Sequence, residues 1–130
     1  MAKGRQKYQA RQQALSSLGT PLSRRAKARC ELCSSRGIPL RPHEVEPATD
    51  EPEFDRCILL CDRCRGGVAG GSVSPQEWRF LEQVAWTEIT ALQVAAVRML
   101  RSLAGSEPWA SGLLDTLYLS PEVDEWLKGA

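Results

Sequence analysis

The number and spacing of apolar residues change along the chain. Residues 4–18 contain many helix-forming residues but few apolar ones, and they predict a helix with little surface to bury. Gly19 interrupts that run, and Pro21 suits the first turn of a second, short helix over 22–29. The start of the chain is therefore expected to be helical and to depend on the rest of the protein for its stability.

Two short strands are predicted in the middle of the chain. Residues 38–45 carry Pro39 and Pro42, and because proline cannot donate to a sheet ladder they favour an edge strand. Residues 54–60 form an apolar strand that leads directly into a cysteine pair, whereas residues 46–55 are acidic and rich in proline and predict a solvated loop. A short β-hairpin is expected.

The second half of the chain has the periodicity of amphipathic helices. After a glycine-rich segment at 66–72, which predicts a flexible hinge, Ser74–Glu77 has the sequence of a capping box. Residues 88–104 place apolar residues at spacings of three and four, and further helices are expected to begin at Pro108 and Ser120. The predicted helical core includes the four tryptophans of this half, Trp78, Trp86, Trp109 and Trp126.

Four of the five cysteines form two C-x2-C pairs that are separated by 27 residues. Thiolates three residues apart on a tight turn can share one tetrahedral metal ion, and two such pairs complete a closed four-cysteine zinc site. In a reducing compartment this interpretation is favoured over disulfides, with iron or a redox dithiol as the alternatives. The predicted ligands of one structural zinc ion are Cys30, Cys33, Cys61 and Cys64.

The fifth cysteine, Cys57, lies four residues before Cys61 in the apolar strand. Its position in that strand predicts a buried side chain that behaves as a small hydrophobic residue. A fifth metal ligand or a sensing thiol is the alternative.

Composition limits the class of protein. The 130 residues are 42% hydrophobic and 25% charged, which is typical of a globular protein and excludes a disordered chain, a collagen and a coiled-coil rod. No apolar run approaches the roughly 20 residues that span a bilayer, and the basic start is not followed by the apolar stretch of a signal peptide. A cytoplasmic protein without a membrane partner is expected.

Charge is distributed unevenly along the chain. Residues 1–30 hold eight basic and no acidic side chains, whereas the remaining hundred residues hold nine basic and sixteen acidic ones. This basic arm indicates a polyanionic partner, RNA or DNA, or an arm that docks on its own acidic body. Alternatively, the arginines offset the charge of a zinc–thiolate centre and of the acidic loop. The candidate nucleic-acid-binding residues are Arg24, Arg25, Lys27, Arg29, Arg63 and Arg65.

Three strings of the sequence, R-C-E-L-C, L-x-x-H-E-V-x-P and C-I-L-L-C-D-R-C, together with the helical half, resemble the PhnA family over residues 22–128. The resemblance implies a zinc-ribbon or treble-clef module followed by a helical tail. Longer members carry a further small β domain, which has no counterpart in this sequence. The family is named after a gene that lies among genes for alkylphosphonate use, and the resemblance implies no phosphonate chemistry.

The zinc segment also resembles the finger of HNH nucleases. On that pattern His43 takes the position of the metal-holding histidine and Glu44 that of the general base. Arg56 and Arg65 stand where those fingers have an asparagine and a histidine, and two arginines repel the divalent ion that the reaction needs. His43 and Glu44 are thus the catalytic candidates of an incomplete set. The alternatives for His43 are a partly exposed strand residue, a nucleic-acid contact or a weak metal contact.

The sequence as a whole predicts an α+β protein with a treble-clef or zinc-ribbon module, a short β-hairpin and then a bundle of three to four helices. The expected divisions are a basic helical arm at 1–29, the zinc module at 30–66 and a helical domain at 73–130. A closed four-thiolate zinc has no open coordination position, so this metal is not expected to be catalytic. The predicted function is a non-enzymatic module that associates with nucleic acid. The alternatives are a protein-interaction adaptor that docks through its helical tail and a degenerate HNH-like nuclease.

Overall fold

The computed structural model describes residues 2–129, so Met1 and Ala130, at the ends of the predicted arm and helical domain, lie outside the described residues, as do the side chains of Ala2 and Lys3. In chain order the elements are α1 (Ala2–Ser17), α2 (Gly19–Ala26), β1 (Leu40–Glu44), a 3-10 helix (Phe54–Arg56), β2 (Cys57–Cys61), α3 (Asp62–Val68), a 3-10 helix (Pro75–Trp78), α4 (Leu81–Val84), α5 (Thr90–Leu103), α6 (Pro108–Thr116) and α7 (Pro121–Lys128). This combination of a hairpin with helices confirms the α+β class. None of the described helices is long and apolar enough to cross a membrane.

The two strands pair antiparallel, with Leu40 opposite Cys61 and Glu44 opposite Cys57. All residues of β2 are buried, whereas β1 is only partly buried. The uniformly apolar sequence of β2 fits this position, because a strand that is covered on both faces has no side left for polar residues. The second strand is shorter than predicted because Phe54–Arg56 forms a 3-10 helix before it.

The two faces of β2 contact different parts of the chain. Cys57 and Leu59 form a small cluster with Leu22 of α2, which is fully buried. Ile58 and Leu60 belong to the larger core, which the helical half supplies for the most part. The hairpin therefore lies between the N-terminal helices on one side and α5 on the other.

The second helix, α2, differs from its predicted range. It begins earlier than predicted, at Gly19, and it ends at Ala26. The helix stops there because Lys27 adopts a left-handed conformation with φ of 57°, and its N–H bonds back to the Arg24 carbonyl. Ala28 is also left-handed, with φ of 59°, so the chain turns towards the first cysteine pair instead of continuing the helix.

The central helix of the second half is α5, and most of its residues are buried. Helices α4, α6 and α7 pack against it. The prediction of a tryptophan core is right for Trp78, which is buried, but wrong for Trp86, which is 56% exposed. Trp86 follows the end of α4 in a turn, and this turn places its ring in solvent. Trp109 and Trp126 are half-buried at the edge of the core.

Of the two serines at predicted helix starts, one caps its helix. Ser120 accepts a hydrogen bond from the backbone N–H of Val123 at 3.3 Å and caps α7. The capping box predicted at Ser74 is wrong, because the segment after it is a 3-10 helix and the Ser74 side chain makes no capping hydrogen bond. In this tighter turn the N–H of Glu77 bonds to the Ser74 carbonyl instead.

The hinge predicted at 66–72 is wrong for its first three residues, which complete α3. Gly67 is buried there against the core tryptophan. A Cβ at this position would lie 2.6 Å from Cη2 of Trp78, so only glycine allows the helix to approach the indole this closely. Close packing, rather than chain flexibility, accounts for this glycine.

Candidate metal centre

Four sulfur atoms converge where the hairpin meets α3. The Sγ atoms of Cys30, Cys33, Cys61 and Cys64 lie within 4.8 Å of one another, and those of Cys33 and Cys61 are 3.8 Å apart. These distances are too long for disulfides, whose sulfurs are about 2.05 Å apart, and all five cysteines are free thiols. The four cysteines can therefore hold one metal ion.

A tight turn presents the first pair of thiols. Ser34 donates its N–H to the Cys30 carbonyl at 2.9 Å, and Cys30 donates its own N–H to the Ser35 carbonyl at 3.0 Å. Ser34 is left-handed, with φ of 67°, which lets the chain reverse within these few residues. The Cys33 thiol donates to Ser35 Oγ at 3.1 Å. The turn thus fixes both the backbone and one of the two sulfur atoms.

The second pair of thiols joins a strand to a helix. Cys61 is the last residue of β2, and Cys64 lies in the first turn of α3. Cys30, Cys61 and Cys64 are buried and belong to the large core, whereas Cys33 is partly exposed. Because these sulfurs are held by elements that pack in the core, the geometry of the site depends on the same contacts as the fold.

Two of the four thiols, those of Cys30 and Cys64, affect each other's ionisation. A hydrogen bond with Cys64 lowers the pKa of Cys30 to about 4, against the opposing effect of burial. The same hydrogen bond, reinforced by burial, raises the pKa of Cys64. A cation bound among the four sulfurs would stabilise their thiolate forms together.

Glu31, which lies between the first two cysteines, connects the metal centre to α2 and β2. Its carboxylate accepts hydrogen bonds from Arg25 Nη2 at 2.7 Å and Nε at 3.1 Å. It also accepts from the N–H of Leu59 at 2.9 Å, while its own N–H donates to the Leu59 carbonyl at 2.8 Å. Glu31 thus occupies the edge of β2 that faces away from β1.

The Arg25 guanidinium is held by contacts within the fold and is not free to bind a partner. Besides the Glu31 carboxylate it donates to the Cys57 carbonyl at 2.9 Å, and its guanidinium lies 4.9 Å from the centroid of the Phe54 ring. Sequence reasoning missed Glu31. The available signal was that Glu31 is the first acidic residue of the chain and follows a run of basic ones, which marks it as the partner of one of them.

Other basic candidates are exposed. Arg24 and Lys27 lie on the outer side of α2 and its C-terminal turn and make no ion pair within the described part of the chain. Arg63 is exposed on α3 beside the metal centre. Although burial works against its charge, a hydrogen bond with Cys33 and the charge of the nearby thiols raise the pKa of Arg63.

The remaining two basic candidates, Arg29 and Arg65, are half-buried. Arg65 Nη1 lies 3.6 Å from the Asp62 carboxylate one turn earlier in α3. The Nε atoms of Arg29 and Arg65 are both buried, and neither has a hydrogen-bond partner among residues 2–129.

The residues at the nuclease-like positions have different surroundings. The Glu44 carboxylate pairs with Arg11 of α1 and accepts from Thr49 Oγ1 at 3.0 Å and from the Thr49 N–H at 3.2 Å. The N-terminal arm is thus docked on the body through Arg11, as one interpretation of the charge distribution expected. His43 is half-buried, and its pKa is lowered by burial and by the charge of Arg65.

Cys57 lies outside the four-sulfur cluster and is fully buried on the face of β2 that contacts α2. Burial, assisted by the negative charge of Glu44, raises the pKa of its thiol to about 11. The prediction of a buried side chain is confirmed.

No protein-family model, curated protein or solved structure matches this chain. The fold and the site therefore define its class: a small α+β protein in which a hairpin, a tight turn and a helix bring four cysteines together as a candidate metal centre. The resemblance to the PhnA family stays a prediction.

Proposed function

We propose that the protein binds one zinc ion in a structural site and that the module organised by this zinc binds nucleic acid. For tetrahedral zinc with Zn–S bonds of about 2.3 Å, the sulfur atoms lie about 3.8 Å apart. The Sγ atoms of Cys33 and Cys61 have this separation. Four thiolates saturate the ion, so zinc stabilises the fold here and leaves no position for a reacting water.

The order of the elements supports a module of the treble-clef type. A turn with the first cysteine pair precedes the hairpin, and the second pair stands where β2 ends and α3 begins. The same order is implied by the resemblance to PhnA proteins. Reduced thiols at such a site agree with a cytoplasmic location.

The free basic surface of α2 carries the proposal for nucleic acid. Arg24 and Lys27 line an open concavity of about 420 Å³ together with Gly19, Thr20 and Ser23. Cationic and hydroxyl side chains of this kind bind the phosphates and sugars of nucleic acid without reading sequence. Arg63, exposed beside the metal centre, adds to the same positive charge.

Elemental analysis of the purified, untagged chain tests the zinc. We expect one zinc ion per chain, and Cys61→Ser should lose the metal and unfold the hairpin, because binding of a structural metal is largely folding free energy. Cys57→Ala is the matched control, since it alters a buried cysteine outside the cluster and should keep full metal content. A native far-UV spectrum and unchanged melting for Cys61→Ser would contradict the proposal.

Oligonucleotide binding as a function of salt tests the second part. Arg24→Gln combined with Lys27→Gln should lower affinity and reduce the slope of log K against log salt by about 1.5, since each phosphate contact contributes roughly 0.7–0.9 to the slope. Arg101→Gln combined with Lys128→Gln removes the same charge from the helical half and should leave the slope unchanged. Equal slopes for the two double variants would contradict binding through α2.

A protein-interaction adaptor is the second candidate, and exposed aromatic side chains in the helical half favour it. Trp86 is 56% exposed and Tyr118 is 78% exposed, and rings of these two types are enriched where proteins contact one another. Affinity purification with and without nuclease treatment separates the two functions. Partners that survive nuclease and are lost in Trp86→Ser favour the adaptor.

A nuclease is the least supported function. The Glu44 carboxylate, which takes the place of the general base, is occupied by Arg11 and Thr49. Plasmid nicking with magnesium or manganese that disappears in Glu44→Gln would support catalysis in spite of these contacts.

A further inference from the structure

Besides Arg29, three half-buried arginines each carry a buried guanidinium nitrogen without a hydrogen-bond partner among the described residues. The atoms are Nε of Arg56, Nε of Arg65 and Nη2 of Arg98. The three residues come from the 3-10 helix before β2, from α3 and from α5. An unpaired buried donor on a charged group costs stability, so such groups normally bind a protein acceptor, water or an ion.

The hairpin brings these side chains to one of its faces. His43 is opposite Ile58 in the strand register, and opposite residues project to the same face of a sheet. That face is covered by the helical half, because Ile58 belongs to the large core and both α3 and α5 contact the hairpin. Val45 donates its N–H to the Arg56 carbonyl at 2.9 Å, which extends the pairing and places Arg56 at the end of the same face.

Existing contacts orient two of the guanidinium groups and leave donors free. Arg56 lies 4.1 Å from the centroid of the Trp126 ring and uses Nη2 to donate to the Pro47 carbonyl at 3.3 Å. Arg65 contacts Asp62 through Nη1 only. Held in this way, the guanidinium groups lose little further freedom when they bind a ligand.

Charged groups at this face act on His43 and on Arg98. Burial lowers the pKa of His43 and Arg65 lowers it further, whereas Glu46 and Glu44 oppose both effects. Burial also lowers the pKa of Arg98; Glu46 opposes this effect, and the charges of Arg101 and Arg56 add to it. Arg65 thus acts on His43 and Arg56 acts on Arg98, and Glu46 is the carboxylate that acts on both His43 and Arg98.

We propose that Arg56, Arg65 and Arg98, together with His43, form a binding site for an oxyanion, namely a phosphate group. Guanidinium groups bind phosphate oxygens through paired, charge-assisted hydrogen bonds, and a neutral imidazole supplies one further donor. The phosphate belongs either to a nucleic-acid backbone or to inorganic phosphate. The first case deepens the proposed function and rests on it. The chemistry of recognition is the same for both.

The single histidine of the chain makes the site directly observable. Inorganic phosphate is titrated into the zinc-loaded full chain at constant ionic strength, and the ring signals of His43 are followed by NMR, with sodium chloride as the reference. We expect saturable shifts with phosphate and none with chloride. Arg98→Gln should weaken phosphate binding about tenfold or more, as expected for the loss of a hydrogen bond to a charged group.

Arg101→Gln is the matched control, because Arg101 is exposed and lies one turn further along α5. It should bind phosphate as the wild type does, and Arg98→Lys, which keeps the charge but loses the planar fork, should bind with intermediate affinity. The zinc content and melting curve of each variant establish that it is folded. The absence of saturable shifts in wild type, or an equal loss in Arg98→Gln and Arg101→Gln, would overturn the proposal.

A short single-stranded oligonucleotide distinguishes the two sources of phosphate. If it shifts the same His43 signals and competes with phosphate, the site contacts the nucleic-acid backbone. If phosphate binds and the oligonucleotide does not compete, the site is upheld for inorganic phosphate, and only its link to the proposed function fails.

Discussion

The ion pair of Arg25 and Glu31 gives the most direct test of how the N-terminal helices are held. The Glu31 side chain is 4% exposed and that of Arg25 is 19% exposed. We expect Arg25→Ala to lower the free energy of unfolding by about 3 kcal/mol, because it leaves a buried carboxylate without its cation. For a chain of this length each kcal/mol lowers Tm by roughly 4 °C, so the midpoint should fall by about 12 °C.

The assay is thermal unfolding followed by circular dichroism at fixed zinc concentration, since metal binding itself adds to stability. Arg24→Ala is the matched control: it removes the adjacent, exposed arginine of α2 and should stay within about 0.5 kcal/mol of wild type. Arg25→Met combined with Glu31→Gln should cost less than Arg25→Ala, because no charge is left unpaired and the amide oxygen still accepts from the Leu59 N–H. Equal midpoints for Arg25→Ala and Arg24→Ala would refute the structural role of Arg25.

Three further predictions concern packing, capping and ionisation. Gly67→Ala should lower the free energy of unfolding by about 1–3 kcal/mol, because the added Cβ has no room beside the buried indole. Gly66→Ala in the same helix meets open space and should leave the free energy of unfolding unchanged or raise it. Urea unfolding measures both. Ser120→Ala should lower the free energy of unfolding by about 1 kcal/mol because α7 loses its N-terminal cap, whereas Ser74→Ala should change it little. Equal losses for the two variants would contradict the assignment of the cap to Ser120. Because burial raises the pKa of Cys57 to about 11, this thiol should be alkylated more slowly in the folded protein than in the unfolded protein. The stability that is linked to this thiol should be fully present below pH 9.0 and should be lost as the pH rises towards 11. Mass spectrometry after iodoacetamide treatment measures the alkylation, and equal rates in both states would disprove the burial.

Features with a local signal could be predicted from the sequence. The spacing of the cysteines located the candidate ligands, and apolar periodicity located α5, because both patterns repeat within one or two turns of chain. Arg24 and Arg25 show the limit. They are neighbours of identical type, and their different roles depend on which side of α2 meets Glu31, which a helix with so few apolar residues does not reveal.

Contacts between distant segments account for the other differences. Trp86 carries no sign in the sequence that a turn after α4 will expose it. Arg98, in contrast, interrupts a nearly continuous run of buried residues in α5, and an arginine in that position was a signal that sequence reasoning left unused.

The enclosure of β2 has a consequence for truncation and proteolysis. Cleavage between α2 and Cys30 would strip away Leu22 and the rest of one covering layer, leaving the side chains of Cys57 and Leu59 in water. An apolar face exposed in this way favours association with other copies of the chain, so the shortened chain should aggregate rather than persist as a smaller folded protein. The polar N-terminal segment thus covers an apolar face of β2 that would otherwise lie in water.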